Sequence, residues 1–149
     1  MLILNRTVSR GYIELLIQRA SGRIDRFVFA NIYTDAGLSL LSALEAGEAA
    51  TPVSHMGLGI GTTAPEGEDE TLESEIAGAR VPVTKSGTGS SRIYSAVFGD
   101  GVGNGAVTEA ALFNAASGGT MSNRTVFGVK TKQDGEVFTF NWTLSHQRA

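Results

Sequence analysis

From Val137 to Leu144 the side chains alternate without a break. Phe138, Phe140, Trp142 and Leu144 fall on one side, and Val137, Thr139, Asn141 and Thr143 on the other. A period of two over eight residues specifies a strand with one buried face, and a strand of that kind cannot stand alone. The same alternation recurs at Tyr12–Gln18, where Ile13, Leu15 and Ile17 oppose Tyr12, Glu14, Leu16 and Gln18, and again at Ile93–Phe98. The chain has 19 glycines but only three prolines, so glycine must make most of the reversals between such strands. Eight or nine short strands with closely spaced turn signals predict a mainly β fold, an antiparallel β-sandwich or jelly-roll-like domain with one short α-helix. At 149 residues this is a single β-rich domain over 1–149, with residues 1–10 read as an N-terminal arm.

Arg23–Ala30 follows Ser21-Gly22 and pairs with Tyr12–Gln18 as a hairpin. The period then changes. Thr34 or Asp35 can cap a helix whose inner positions are Gly37, Leu40, Leu41 and Leu44, and Gly47 is placed to end it, giving a helix over about 35–46. Val53–Ile60 is a further strand. Glu66 to Glu75 holds six acidic and no basic residues, with Leu72 and Ile76 spaced for one helical turn. Arg80–Lys85 reads as a short edge strand because Pro82 cannot donate to a ladder. Lys85–Ser91 and Gly99–Gly105 are loops, while Val107–Phe113 and Thr120–Lys132 are extended. Asp134-Gly135 predicts a tight hairpin leading into the last strand.

Candidate chemistry is sparse. Gly59-Ile60-Gly61-Thr62-Thr63-Ala64 has the spacing of a dinucleotide fingerprint, but Pro65 and the acidic run replace the helix that would meet the pyrophosphate. Asp100–Gly105 begins like a calcium loop, yet Val102 and Ala111 fall where oxygen ligands are needed. The acidic run is expected to be a solvated loop. His55 is expected on a strand face and His146 in a terminal tail, neither within a catalytic motif. With no cysteine, there is no thiolate metal site and no disulfide framework. A formal charge of −3 argues against a nucleic-acid binder. No apolar run is long enough for a membrane span or a secretory signal, so the Asn-x-Thr triplets at Asn5, Asn123 and Asn141 are not read as glycosylation sites. The expectation is a chain without cofactor, metal or catalytic residues.

Three blocks resemble bacteriophage structural proteins of the tail-fibre and decoration type. Asn31-Ile32-Tyr33-Thr34-Asp35-Ala36-Gly37 with the leucine helix is similar to their opening. His55 through Gly59-Ile60-Gly61-Thr62-Thr63-Ala64-Pro65, followed by Thr71-Leu72-Glu73-Ser74-Glu75, is similar to a second block. Thr108-Glu109-Ala110-Ala111-Leu112-Phe113-Asn114, with Gly118-Gly119-Thr120-Met121 and Arg124-Thr125-Val126-Phe127, is similar to a third. Ala111 departs from the glycine usual there, which implies ordinary strand backbone at that position.

The resemblance implies a virion component without enzymatic activity, made in the host cytoplasm. The absence of any fibre shaft in 149 residues favours a decoration or cement protein on the capsid exterior. Its partners would be the major capsid protein and copies of itself in a homo-oligomer such as a trimer. A tail-fibre, collar or baseplate accessory protein with an adhesion role is the alternative. It would need exposed aromatics, for which Tyr12, Tyr33, Tyr94 and Trp142 are the candidates. For inter-subunit contact the sequence offers Leu2, Ile3 and Leu4 in the arm, and Tyr12 and Leu16 on the face opposite Ile13, Leu15 and Ile17. These five are the expected interface residues, either as a strand added to a neighbour or as an arm on the capsid protein.

Overall fold

In the computed structural model, which describes residues 7–148, the alternating segments pair into two five-stranded antiparallel sheets that pack face to face. The first sheet has the order β2-β1-β10-β7-β6, built from β1 (Thr7–Gln18), β2 (Ile24–Ala30), β6 (Thr84–Ser86), β7 (Ser91–Phe98) and β10 (Val137–Arg148). The second has the order β3-β9-β8-β4-β5, from β3 (Ile32–Tyr33), β4 (His55–Gly59), β5 (Glu75–Pro82), β8 (Gly105–Phe113) and β9 (Met121–Lys132). The helix α1 (Asp35–Glu45) lies between β3 and β4 in the chain. The fold is thus a mainly β sandwich with one helix, as the periodicity predicts.

Register explains why the core is sealed. Ile13, Leu15 and Ile17 sit opposite Trp142, Phe140 and Phe138 on β10. Phe140 and Phe138 in turn face Ala96 and Phe98 on β7. All of these are fully or almost fully buried, and they meet Met56, Leu58, Ala110 and Leu112 from the second sheet in one cluster. A one-residue slip would turn that whole set to solvent.

Several sequence expectations need correction. Asp134-Gly135 is a turn, with Gly135 at φ +80°, but not a hairpin: β9 and β10, on either side of it, belong to opposite sheets. The turn is tied across the sandwich instead. The Gly135 amide donates to Asp100 Oδ1 (2.7 Å) and Asn104 Nδ2 donates to Asp134 Oδ1 (2.8 Å). The Arg80–Lys85 strand is also split. Pro82 ends β5 on the edge of one sheet, and Thr84 opens β6 on the edge of the other. No helical turn forms around Leu72 and Ile76; Leu72 is buried in the irregular segment that precedes β5, and Ile76 lies in β5. His146 lies in β10 rather than in a tail.

The arm reading changes as well. Thr7, Val8, Ser9 and Arg10 pair with Arg148, Gln147, His146 and Ser145, so this part of residues 1–10 is strand within the sheet. Leu2, Ile3 and Leu4 lie outside the described residues. The helix is capped as expected: the Gly37 amide donates to Thr34 Oγ1 at 2.9 Å, and Gly47 follows the C-cap at φ +71°. Ala111 has ordinary strand backbone within β8.

Candidate functional site

The acidic run is anchored rather than simply solvated. Glu109, on β8, and Arg124, on β9, project outward from the second sheet, yet they are 0% and 2% exposed because the segment 61–74 closes over them. Glu109 Oε1 accepts the amides of Gly61 (3.0 Å) and Ser74 (2.8 Å). Its Oε2 accepts the amide of Glu73 (3.2 Å) together with Arg124 Nε (3.0 Å) and Nη2 (2.9 Å). Arg124 Nη1 reaches Asp69 at 2.8 Å, and Nη2 donates to the Thr63 carbonyl at 3.2 Å. Burial works against the Arg124 charge, but the Glu109 and Asp69 carboxylates outweigh it and hold the guanidinium above its usual range.

This arrangement decides the fingerprint question. The glycine amide that would cradle a phosphate already binds the chain's own carboxylate. A Cβ at Gly59 or Gly61 would run into Glu109, so these two glycines serve close approach to an internal anion. Sequence reasoning did not single out the Glu109–Arg124 pair. The available signal was an acid next to the apolar run Ala110–Phe113, and a base within the polar but buried stretch Met121–Thr125. Of the other acids in the run, Glu75 pairs with Arg80 (2.8 Å), whose guanidinium lies 3.5 Å from the centre of the Phe113 ring.

The calcium-like loop is likewise filled from within. Lys132 Nζ, almost fully buried, donates to the Gly99 carbonyl (2.7 Å) and to Asn104 Oδ1 (3.1 Å). Asp100 and Asn104 are further engaged by the 134–135 turn. Burial lowers the Lys132 pKa, while Asp100, Glu136 and Asp134 nearby oppose that shift. Among the described residues, no group of three or more acids, histidines or cysteines is arranged for a metal ion.

The two histidines do not meet any carboxylate among the described residues. His55 Nδ1 is hydrogen-bonded to Ser54 Oγ at 2.8 Å, and His146 Nδ1 to Ser9 Oγ at 2.8 Å. His146 also lies 6.1 Å from the Tyr33 ring, measured between ring centres. It lines a cleft of about 90 Å³ between α1 and the ends of β7 and β10, with Leu40, Leu41, Leu44 and Tyr94 on its walls.

The expected contact surface is present in part. Tyr12 and Leu16 project from the outer face of the first sheet, in rows with Thr143 and Thr139. Ile24 and Val28 on β2 and Val97 on β7 project from the same face, and with Tyr12 each is more than half exposed. A hydrogen-bonded row crosses between them. Arg26 Nε donates to Glu14 (2.7 Å), Asn141 Nδ2 donates to Glu14 (3.1 Å), and Ser95 Oγ donates to Asn141 (2.7 Å). Of the four aromatics considered for adhesion, only Tyr12 is exposed; Trp142 is core, and Tyr33 and Tyr94 are half-buried.

The two sheets therefore differ. Outside the second sheet, Leu72 covers Ala111, Phe113 and Met121, and the acidic loop covers Glu109 and Arg124. No described element lies over the outer face of the first sheet. Among the described residues no helix is long and apolar enough to cross a membrane. Compared with family models, curated proteins and solved structures, the chain matches none.

Proposed function

We propose that the chain is a non-enzymatic structural protein of a bacteriophage particle, a decoration or cement protein that seats on the capsid exterior and stabilises the head. The supporting observation is the asymmetry of the sandwich: the outer face of the second sheet is covered over Glu109, Ala111, Phe113, Met121 and Arg124, with Val129 on β9 left exposed, whereas the first presents Tyr12, Ile24, Val28 and Val97 on an open face. Antiparallel sheets tolerate a solvated face, but that face is normally polar. Several large apolar side chains on one such face mark a surface that is covered by a partner. The buried charges support the same reading, since Glu109, Arg124 and Lys132 spend their hydrogen bonds on the protein's own loops and leave a rigid body.

On this reading the open face contacts the major capsid protein or a second copy within a small oligomer. Symmetry repeats a modest contact many times over the shell. Copy number per particle is the test. Hundreds of copies recovered with purified heads support decoration. A handful of copies recovered with tails would replace it by a tail or collar position, and absence from particles would overturn it altogether.

A further inference from the structure

The leucine face of α1 is less well buried than its periodicity leads one to expect. Leu40, Leu41 and Leu44 are each only half-buried and belong to neither apolar cluster of the sandwich. The helix is held instead at its first turn. Thr34 Oγ1 donates to the Met121 carbonyl, and Gly37 lies so close to the Ser122 carbonyl that any side chain there would collide with it. Beyond that turn, a cleft of about 90 Å³ separates the leucines from Tyr33, Tyr94 and Leu144.

Arg92 is the charged side chain that lines the cleft, its Nη1 donating to the Gly89 and Ser91 carbonyls; His146 lines it as well, and no carboxylate does among the described residues. Asn123 also lines it; it is fully buried, and its Nδ2 has no hydrogen-bond partner. Burial pushes the Tyr33 phenol up to about 12, so it is a neutral hydroxyl at physiological pH. A partly enclosed apolar space with a few donors converging on it is the usual form of a small-ligand site. We propose that this cleft binds a small monocarboxylate, its aliphatic body against the α1 leucines and its carboxylate toward Arg92 and His146. A cavity of about 150 Å³ holds a six-carbon ring, so this one suits a branched body of about four carbons.

The proposal is independent of the assembly reading and is tested on the full chain. Isovalerate, isopentyl alcohol and isopentylamine are titrated while the leucine methyl resonances are followed by NMR. Isovalerate is expected to shift the methyls of Leu40, Leu41 and Leu44 saturably, with the alcohol binding about tenfold more weakly and the amine more weakly still. Leu41→Trp, which fills the cleft from a half-exposed position, is expected to abolish the shifts. Arg92→Gln is expected to bring isovalerate down to the affinity of the alcohol. The absence of saturable shifts, equal binding of the amine, or shifts that survive in a folded Leu41→Trp protein would each overturn the proposal.

Discussion

Trp142 and the Glu109–Arg124 pair show two different ways in which one residue holds this sandwich. Trp142 is fully buried on β10, between Phe140 and Leu144, and its Nε1 has no partner. Its contribution is therefore packing, and Trp142→Ala is expected to cost about 3–5 kcal/mol in denaturant unfolding. A near-neutral result would contradict its place in the core. Glu109 and Arg124 contribute through position. Removing one partner strands a buried charge, so Arg124→Met or Glu109→Ala alone is expected to destabilise by about 3–5 kcal/mol. The two effects separate in amide exchange. Glu109→Ala should expose the amides of Gly61, Glu73 and Ser74, which the carboxylate now holds, whereas Trp142→Ala should loosen β1 and β10.

Among the elements, the crossing from β9 to β10 carries a pH-sensitive fastening. Glu136 accepts Arg19 Nη1 at 2.9 Å and the Gln133 amide at 2.8 Å, and Arg19 also holds Asp25. The Arg19 guanidinium lowers the Glu136 pKa below its ordinary 4.5, against the opposing effect of burial. A carboxylate depressed in the folded state stabilises it above the unfolded value, and that stability is lost as pH falls through the lower, folded value. Unfolding followed from pH 6 downward should thus show a loss setting in below about pH 4.5, which Glu136→Gln diminishes. The same crossing shows where sequence reading stops. Alternation reveals β1, β7 and β10 because each places every second residue in the core. Asp134-Gly135 reveals a turn, since only glycine suits the positive φ, but nothing local states which sheet the next strand joins. Pro82-Val83-Thr84 changes sheets for equally non-local reasons. The leucine period of α1 likewise marks an apolar face without saying whether the sandwich covers it. Glu109 was the least legible, because its partners at 61, 73, 74 and 124 are brought together only by the folded sheet.

For the molecule as a whole, the question is what the open face of the first sheet meets. Tyr12, Val28 and Val97 stand around a polar row of Arg26, Glu14, Asn141 and Ser95, so exposed apolar side chains and a hydrogen-bonding stripe share one surface. Interfaces combine apolar contact with satisfied polar groups in this way. Because these side chains point away from the core, charging them should leave the fold intact: Tyr12→Glu with Val97→Glu is expected to change stability by less than about 1 kcal/mol. Incorporation into particles should nonetheless be lost, as a desolvated carboxylate has no partner there. The N-terminus supplies a contrasting deletion. Removing residues 1–6 leaves the described β1 ladder whole, whereas removing 1–10 also strips four pairings with β10 and should lower the unfolding midpoint. If the 1–6 deletion incorporates normally while the double glutamate variant, still folded, does not, the contact belongs to the sheet face and Leu2, Ile3 and Leu4 have no part in it. If the double variant incorporates as well as the parent, the open face is not the seat of assembly, whatever the copy number.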